Sequence, residues 1–219
     1  MGLLGSSGTL RPGAKAKVTL TVSAADLAAG THQVAELRVT SASGRNPVLS
    51  IPVRIVVPGY LSALDSGNQR SHVDALGDTW KPDQAYKAGS SGYLGTSTVV
   101  STRKPIAGTT DPARFADARE NAYEYRFDGL AEGVYTVELD FAELSNAKPN
   151  KRVFDVLVEG VEVLPSLDIA LEAGNYTATN RTYTVRITDG QLNVRFITHK
   201  GFGKPIVNAL RVTHRPDKS

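Results

Sequence analysis

Apolar and polar residues alternate with a period of two along most of this 219-residue chain. Val18, Leu20 and Val22 show the pattern first, and a longer run extends from Leu49 to Val57. Because successive side chains of a β-strand point to opposite faces, this period predicts strands with one buried face. The chain is therefore expected to be all-β. Helical spacing is confined to Pro112 to Asn121, where a short helix competes with an irregular loop.

The alternation continues through the second half of the chain. The later runs are centred on Val137, Val156, Val185, Val194 and Leu210. Between two of these runs lies Asp189-Gly190, a dipeptide suited to a tight turn whose backbone needs positive φ. We therefore expect a β-hairpin from Tyr183 to Phe196.

Pro58-Gly59-Tyr60 divides the chain into two units. The unit before it offers only three or four strands, whereas an immunoglobulin-like sandwich needs about seven, so part of such a sandwich is predicted. The unit after it has enough strands for a complete jelly-roll β-sandwich. The predicted segments are a flexible start at 1–8, the partial immunoglobulin-like spacer at 9–57, a linker at 58–60, the jelly roll at 61–214 and a tail at 215–219.

Composition removes several classes of function. The chain has no cysteine, so disulfides and thiolate ligands are excluded. Its 25 Lys and Arg residues are scattered among 22 Asp and Glu residues, which argues against nucleic-acid binding. No apolar run approaches the roughly 20 residues that span a bilayer. Met1 to Gly8 has no signal-peptide pattern, and we interpret it as the edge of a piece cut from a larger secreted or cell-surface protein.

Five strings in chain order resemble the malectin family over residues 61–214. They are Asn121-Ala122-Tyr123-Glu124-Tyr125, Gly133 to Glu143, Arg152-Val153-Phe154-Asp155-Val156, Asp189 to Val194, and Pro205 to Val212. The resemblance implies a carbohydrate-binding domain. The animal member of the family reads glucose disaccharide ends through aromatic side chains and a carboxylate. A weaker resemblance joins the first unit, at Leu27 to Thr31 and Leu49 to Val53, to immunoglobulin-like repeats of bacterial secreted hydrolases.

The resemblance also implies particular ligand contacts. Tyr93, in Gly92-Tyr93-Leu94-Gly95, corresponds to a sugar-stacking tyrosine of the family, and an aromatic face suits the C–H face of a sugar ring. Where the animal member has an aromatic pair, this chain has Ser145 and Asn146. Other family contacts fall on different residues here: a tyrosine near Glu120 and Asn121, and the sugar-binding aspartate near Gly203 and Lys204. Asn121, Asn146 and Lys204 therefore become candidates beside Tyr93.

Three further aromatic residues lie in predicted loops at 69–102 and 198–204. Trp80, the only tryptophan, is a candidate stacking platform, and Tyr86 and Phe202 are similar candidates. The alternative for Trp80 is that its ring fastens the long loop onto the sandwich, while Asp78 and Asp83 make turn hydrogen bonds.

The acidic residues allow two other readings. Glu143 and Asp155 could act as the paired carboxylates of a glycosidase. Asp155 alternates with core residues on its strand, so exposure or structural pairing with Arg152 or Arg119 is favoured. A structural calcium ion could be held near Asp65, Asn68, Asp74 and Asp78, although no regular spacing defines the site.

Taken together, these patterns predict a non-catalytic module that binds glycan or polysaccharide. Its partner within the same protein would be the catalytic domain of a secreted bacterial protease or glycoside hydrolase, held near its substrate. The main alternative is a structural or protein-interaction domain with no sugar ligand. A hidden hydrolase is a third alternative.

Overall fold

The computed structural model describes residues 7–42, 45 and 47–218. The protein is nearly all β, as predicted. No helix among these residues is long and apolar enough to cross a membrane. Numbered in chain order, the strands are β1 Thr31–Thr40, β2 Val48–Val57, β3 Leu61–Asp65, β4 His72–Val73, β5 Thr79–Pro82, β6 Ser91–Leu94, β7 Thr98–Ser101, β8 Asp117–Glu120, β9 Glu124–Asp128, β10 Gly133–Phe141, β11 Phe154–Val158, β12 Val161–Leu167, β13 Thr179–Ile187, β14 Gln191–Thr198, β15 Ile206–Val207 and β16 Ala209–His214.

The first unit is a two-stranded antiparallel hairpin. β1 and β2 pair along their whole length, with Thr31 opposite Val57 and Thr40 opposite Val48. Residues 7–30 contain no strand, so the strand predicted at Val18 to Val22 is wrong. Alternation alone does not make a strand, because backbone groups also need a pairing partner. Two strands, rather than three or four, are found in the described part of this unit.

The hairpin is fastened to the second unit through the C-terminal end of the chain. Arg54 of β2 contacts Asp217 at 3.4 Å, and the backbone N–H of Gly59 donates to Nδ1 of His214 at 3.2 Å. Arg215 also holds Asp217, and these hydrogen bonds lower the pKa of Asp217 to about 2. Contacts of His214 and Asp217 therefore link the two units.

The second unit is a β-sandwich of two main sheets. The six-stranded sheet has the order β13-β10-β16-β3-β5-β4, and the five-stranded sheet has the order β12-β11-β14-β9-β6. The inward residues of β10, including Leu139 and Phe141, are fully buried against the facing sheet. Phe141 meets Phe154 across the core with ring centroids 6.2 Å apart, and Phe154 meets Phe196 at 6.3 Å. This interdigitation of two alternating faces is the physical basis of the sandwich.

A smaller three-stranded sheet, β15-β8-β7, closes one end of the sandwich. The stretch predicted as a short helix or loop is divided: Pro112–Phe115 form a 3₁₀ helix, and β8 follows at once. One short α-helix, α1, spans Ile169–Glu172 and is capped by the Asp168 carboxylate, which accepts from the N–H of Leu171.

The hairpin expected from Tyr183 to Phe196 is wrong, although both strands and the turn exist. β13 pairs with β10 in the six-stranded sheet, whereas β14 pairs with β9 and β11 in the five-stranded sheet. Gly190 has φ of 83°, and its carbonyl accepts from the N–H of Leu130. The Asp189-Gly190 turn therefore carries the chain across the sandwich, because each strand finds a different partner for its backbone groups.

Trp80 forms a second, smaller core on the outer side of the six-stranded sheet. Its ring is fully buried with Ala63 and Ala209. The indole N–H donates to Asp74 at 3.0 Å, and the Arg114 guanidinium lies 4.3 Å from the ring centroid. The ring thus fastens β5 and its preceding loop to the sheet, which is the second of the two roles considered for it.

Replacing this ring tests its structural role. We expect Trp80→Ala to lower the free energy of unfolding by roughly 3–5 kcal/mol, because it leaves a cavity where the ring was buried and removes the hydrogen bond to Asp74. Chemical denaturation followed by circular dichroism measures the change. Tyr123→Ala, which removes a ring that is 50% exposed, is the matched control and should change stability far less. Equal effects of the two substitutions would contradict the buried role of Trp80.

Candidate functional site

Several loops meet at one end of the sandwich, beside the three-stranded sheet. The N–H of Asn121 donates to the carbonyl of Pro205 at 2.9 Å, and its side chain donates to the carbonyl of Thr96 at 2.8 Å. The N–H of Gly203 donates to the carbonyl of Lys151 at 2.8 Å. The segments 94–97, 120–123, 145–152 and 198–205 form this surface, which we call the loop end.

Arg152 is buried beneath the loop end and connects its parts. Its Nε donates to Glu143 at 2.7 Å, and its Nη1 donates to Glu120 at 2.8 Å and to the carbonyl of Lys204. Glu143 is fully buried and also accepts from the N–H of Ser145. A buried charge is stable only when it is paired and hydrogen-bonded. These contacts therefore fix the positions of three loops relative to one another.

A second buried ion pair lies behind Tyr93. Arg119 donates from two nitrogens to the carboxylate of Asp83, with Nη2 to Oδ1 at 2.6 Å. The hydroxyl of the fully buried Tyr125 donates to the same carboxylate at 2.6 Å. Burial, reinforced by the Asp83 charge, raises the pKa of Tyr125 well above its usual value. Tyr125 therefore remains a neutral donor and helps to hold Arg119 in place.

Tyr93 is half-buried at the edge of the five-stranded sheet. The Arg119 guanidinium covers one face of its ring, 3.8 Å from the centroid. Tyr125 lies beside it with ring centroids 6.3 Å apart. This cation–π contact fixes the ring but reduces the aromatic surface that a sugar could use for stacking.

Tyr123 is the exposed aromatic residue that the sequence reasoning did not select. Its ring is 50% exposed and lies against Gly95, where an added Cβ would come within 2.6 Å of the ring. Gly95 also has φ of 98°, so glycine is required there on two grounds. Alternation would place Tyr123 on the buried face with Tyr125, but β9 begins only at Glu124. No pattern in the sequence marks the position as exposed.

The other candidates from the predicted loops lie on the outer part of the loop end. Phe202 is 38% exposed and meets the His199 ring at 6.2 Å. Asn146 and Lys204 are also exposed, and Asn146 has φ of 55°, a conformation that asparagine tolerates better than most residues. The structure thus places Asn121, Asn146, Phe202 and Lys204 on loops that share one end of the sandwich.

Trp80 and Tyr86 do not join this surface. Trp80 is buried on the outer side of the six-stranded sheet, so the idea that it is an open stacking platform is wrong: neither face of the ring is free. Tyr86 donates its hydroxyl to Asp128 at 2.7 Å. The backbone N–H of Tyr86 donates to the carbonyl of Tyr93 at 2.9 Å, but its hydroxyl lies at Asp128, the end of β9, about 13 Å from Glu124 at roughly 3.3 Å per strand residue.

The two carboxylates considered for catalysis have structural partners. Glu143 is held by Arg152, as described above. Asp155 accepts from the N–H of Ser166 at 2.8 Å and contacts Nε2 of His199 at 2.8 Å. Pairing of Asp155 with Arg152 or Arg119 is therefore wrong, and His199 takes that place.

The four calcium candidates separate into two pairs. The Asp65 carboxylate accepts from the Asn68 side chain at 2.9 Å. Asp74 is occupied by Trp80 and by nearby backbone N–H groups, and Asp78 contacts Arg211. Within residues 7–42, 45 and 47–218, no group of three His, Cys, Asp or Glu is placed to hold a metal ion.

Asp65 and Asp140 lie in a buried ionic cluster with His72 and Arg114. Nδ1 of His72 is 3.3 Å from Asp65, and Nε of Arg114 is 3.2 Å from Asp140. Both aspartates are fully buried. Burial raises the pKa of each to about 7, and the Arg114 charge only partly offsets this effect at Asp140.

A sandwich that displays adjoining polar and aromatic loops at one end defines a binding module of the jelly-roll class. The malectin domain profile matches residues 60–214, so the chain belongs to the malectin domain family, a carbohydrate-binding, non-catalytic fold. Malectin-A of Xenopus laevis is 30% identical over 137 residues, which are 61% of this chain and 48% of that protein. Malectin of Mus musculus is also 30% identical, over 61% of this chain and 45% of that protein. The chain thus spans about half the length of these relatives.

Solved structures share the fold at lower identity. A β-glucuronidase from Bacteroides uniformis superposes with a TM-score of 0.66 and 24% identity, over 84% of this chain and 22% of that one. The extracellular domain of ANXUR2 from Arabidopsis thaliana superposes with a TM-score of 0.60 and 16% identity, over 70% of this chain and 49% of that one.

Breaking the Arg152 contacts tests how the loop end is held. We expect Arg152→Met to lower the free energy of unfolding by roughly 3–5 kcal/mol, because Glu143 would remain buried and unpaired. Adding Glu143→Gln should recover a large part of that loss, since no uncompensated charge remains. Urea denaturation of the two variants measures the difference. A loss below about 1 kcal/mol in the single variant would mean that water solvates the pair.

The raised pKa values of Asp65 and Asp140 predict a pH effect on stability. Between the unfolded pKa near 4 and the folded pKa of about 7, the native state binds more protons than the unfolded state. Stability should therefore fall as the pH rises through this window and level off above it. Asp140→Asn should become progressively more favourable relative to the unmodified protein from pH 5 to pH 8.

Thermal unfolding at several pH values measures this effect. Asp217→Asn is the control, because the pKa of Asp217 is lowered to about 2 and its charge is constant in this range. A stability difference between Asp140→Asn and the unmodified protein that does not change with pH would contradict the assignment.

Proposed function

We propose that the loop end is a carbohydrate-binding site and that the protein is a non-catalytic glycan-binding module. The observation that carries this proposal is the grouping of Tyr123, Phe202, Asn121, Asn146 and Lys204 on loops that Arg152 and backbone hydrogen bonds hold together. Exposed rings offer stacking faces, and amide groups can donate to and accept from sugar hydroxyls.

Tyr93 has a secondary place in this site. Arg119 covers one face of the ring, so its contribution is its edge and its hydroxyl rather than a full stacking face. The Tyr93 hydroxyl can donate to, or accept from, a sugar hydroxyl. Removing the hydroxyl with Tyr93→Phe should therefore weaken binding only modestly.

The affinity of this site should be modest. The loop end is an open surface, and a sugar stacked on one or two rings buries little area. A dissociation constant of micromolar to millimolar order, about −8 to −4 kcal/mol, is expected.

We further propose that the module belongs to a larger secreted or cell-surface hydrolase of bacterial origin, with residues 9–57 as part of an immunoglobulin-like spacer. The likeness to the Bacteroides β-glucuronidase supports this, since it covers 84% of the chain against 70% for the plant receptor. The clamp formed by Arg54 and Asp217 also suits a spacer that transmits a defined orientation. Expression of the intact protein, followed by tests of secretion and hydrolysis, checks this assignment.

A protein-interaction role is the second candidate. A plant receptor, FER, whose structure was solved in complex with the peptide RALF23 and LLG2, superposes with a TM-score of 0.56 and 20% identity. The loss of the family's aromatic pair at Ser145 and Asn146 also reduces the stacking surface. If the purified chain binds no glycan but captures a protein through the loop end, this second role replaces the first.

The aromatic residues of the loop end provide the direct test. We expect Tyr123→Ala and Phe202→Ala each to weaken glycan binding by about 0.5–1.5 kcal/mol, a roughly 2- to 12-fold rise in the dissociation constant. A glycan array identifies a ligand, and isothermal titration calorimetry then measures the affinities. Tyr86→Ala removes a tyrosine ring that is bound to Asp128, while its backbone bond to Tyr93 can remain, and should leave binding unchanged. Loss of binding in Tyr86→Ala, with the other two variants unaffected, would move the site to a different surface.

A further inference from the structure

Two segments of the loop end carry charge of a single sign. Residues 145–152 and 198–204 together contain four lysines, one arginine and one histidine, but no aspartate or glutamate. The two segments are 46 or more residues apart, so the sequence does not show that their charges lie close together. Folding brings them together through the bond from the N–H of Gly203 to the carbonyl of Lys151.

Four carboxylates contact these segments, and each of them is buried or half-buried. One is that of Asp168, which accepts from the N–H of Asn150. Arg152 takes Glu143 and Glu120, and His199 takes Asp155. The four lysines are exposed, and none of them has an ion-pair partner among the described residues. They are Lys148, Lys151, Lys200 and Lys204. The exposed charges of the loop end are thus all positive, and they lie above carboxylates that are buried or half-buried.

Lysine and arginine side chains favour different anions, so the lysines of the loop end indicate which anionic group it would bind. An arginine fork matches the two oxygens of a phosphate or sulfate, but the only arginine in these segments is buried, and its Nε and Nη1 donate to Glu143, Glu120 and the carbonyl of Lys204. Lysines act as separate point charges on flexible stems, which suits single carboxylates spaced along a chain. Phe202 lies between Lys200 and Lys204 and is 38% exposed, so a stacking face adjoins the charges.

We propose that the loop end is selective for acidic glycans, namely polysaccharides whose sugar rings carry carboxylates. This inference rests on the proposed function and names the ligand class of the same site. A uronic acid combines a C–H face for Phe202 with a carboxylate for a lysine. A neutral glycan would use only the first contact.

The test compares polygalacturonate oligomers with the same oligomers after reduction of their carboxyl groups to alcohols. Isothermal titration calorimetry on the full chain should show binding of the acidic form at least tenfold tighter at 50 mM salt. The preference should shrink at 500 mM salt, because exposed charges are screened beyond a Debye length of roughly 4–5 Å there. Polyglutamate serves as a carboxylated chain without sugar rings.

Paired variants locate the effect. Lys148→Ala with Lys200→Ala should weaken binding of the acidic oligomer about 5- to 20-fold, at a typical few-fold for each exposed charge, and leave the reduced oligomer unaffected. Lys15→Ala with Lys17→Ala makes the same charge change in the first unit, where both lysines are exposed, and should have little effect.

Each outcome has a distinct meaning. Equal binding of the acidic and reduced oligomers would overturn the acidic preference while leaving the proposed function intact. Equally tight binding of polyglutamate would show a plain charge effect and overturn the sugar-specific inference. Binding of no oligomer here, and of no glycan on the array, would overturn both.

Discussion

The buried guanidinium of Arg152 is the interaction on which the loop end depends. Its partners come from β8, from the end of β10 and from the loop before β15, which are far apart in the sequence. A charge removed from water must regain its hydrogen bonds from the protein, so each partner is held to a narrow range of positions. Loops that would otherwise be mobile thus share one anchor, and the exposed side chains above it keep a defined arrangement.

Arg119 performs the same role for the neighbouring edge of the five-stranded sheet. Asp83 accepts from both Arg119 and Tyr125, so one carboxylate joins a loop after β5 to β8 and β9. In this position Arg119 also covers one face of the Tyr93 ring, which removes that face from the exposed surface. A residue that resembles a ligand contact by its sequence context can therefore take part in holding the fold, and the exposed aromatic surface of the loop end is that of Tyr123 and Phe202.

The strands of this protein could be predicted from the sequence, but their partners could not. Alternation reports that a segment has one buried face, and it is correct for β10, β13, β14 and β16. It does not report which sheet contributes the neighbouring strand. Asp189-Gly190 satisfies the geometry of a turn whether the next strand returns beside β13 or crosses to the opposite sheet. The dipeptide therefore predicts the turn, but it does not predict which strand pairs with β14. The segment at Val18 to Val22 shows the same limit, because it alternates but forms no strand.

The site was predictable to a similar degree. Asn121, chosen from the family resemblance, and Phe202, chosen by its place in a predicted loop, both lie on the loop end. The choice of Trp80 by rarity and loop length overlooked the small outer core of Ala63 and Ala209. The positive surface was not predictable, because charges that look scattered along the chain become neighbours only when 145–152 meets 198–204. The strands of this protein are therefore encoded in short-range patterns, whereas the arrangement of its loop end, and the ligand preference proposed for it, depend on contacts between distant segments. This difference explains how one sandwich can keep its fold while the chemistry of its loop end changes.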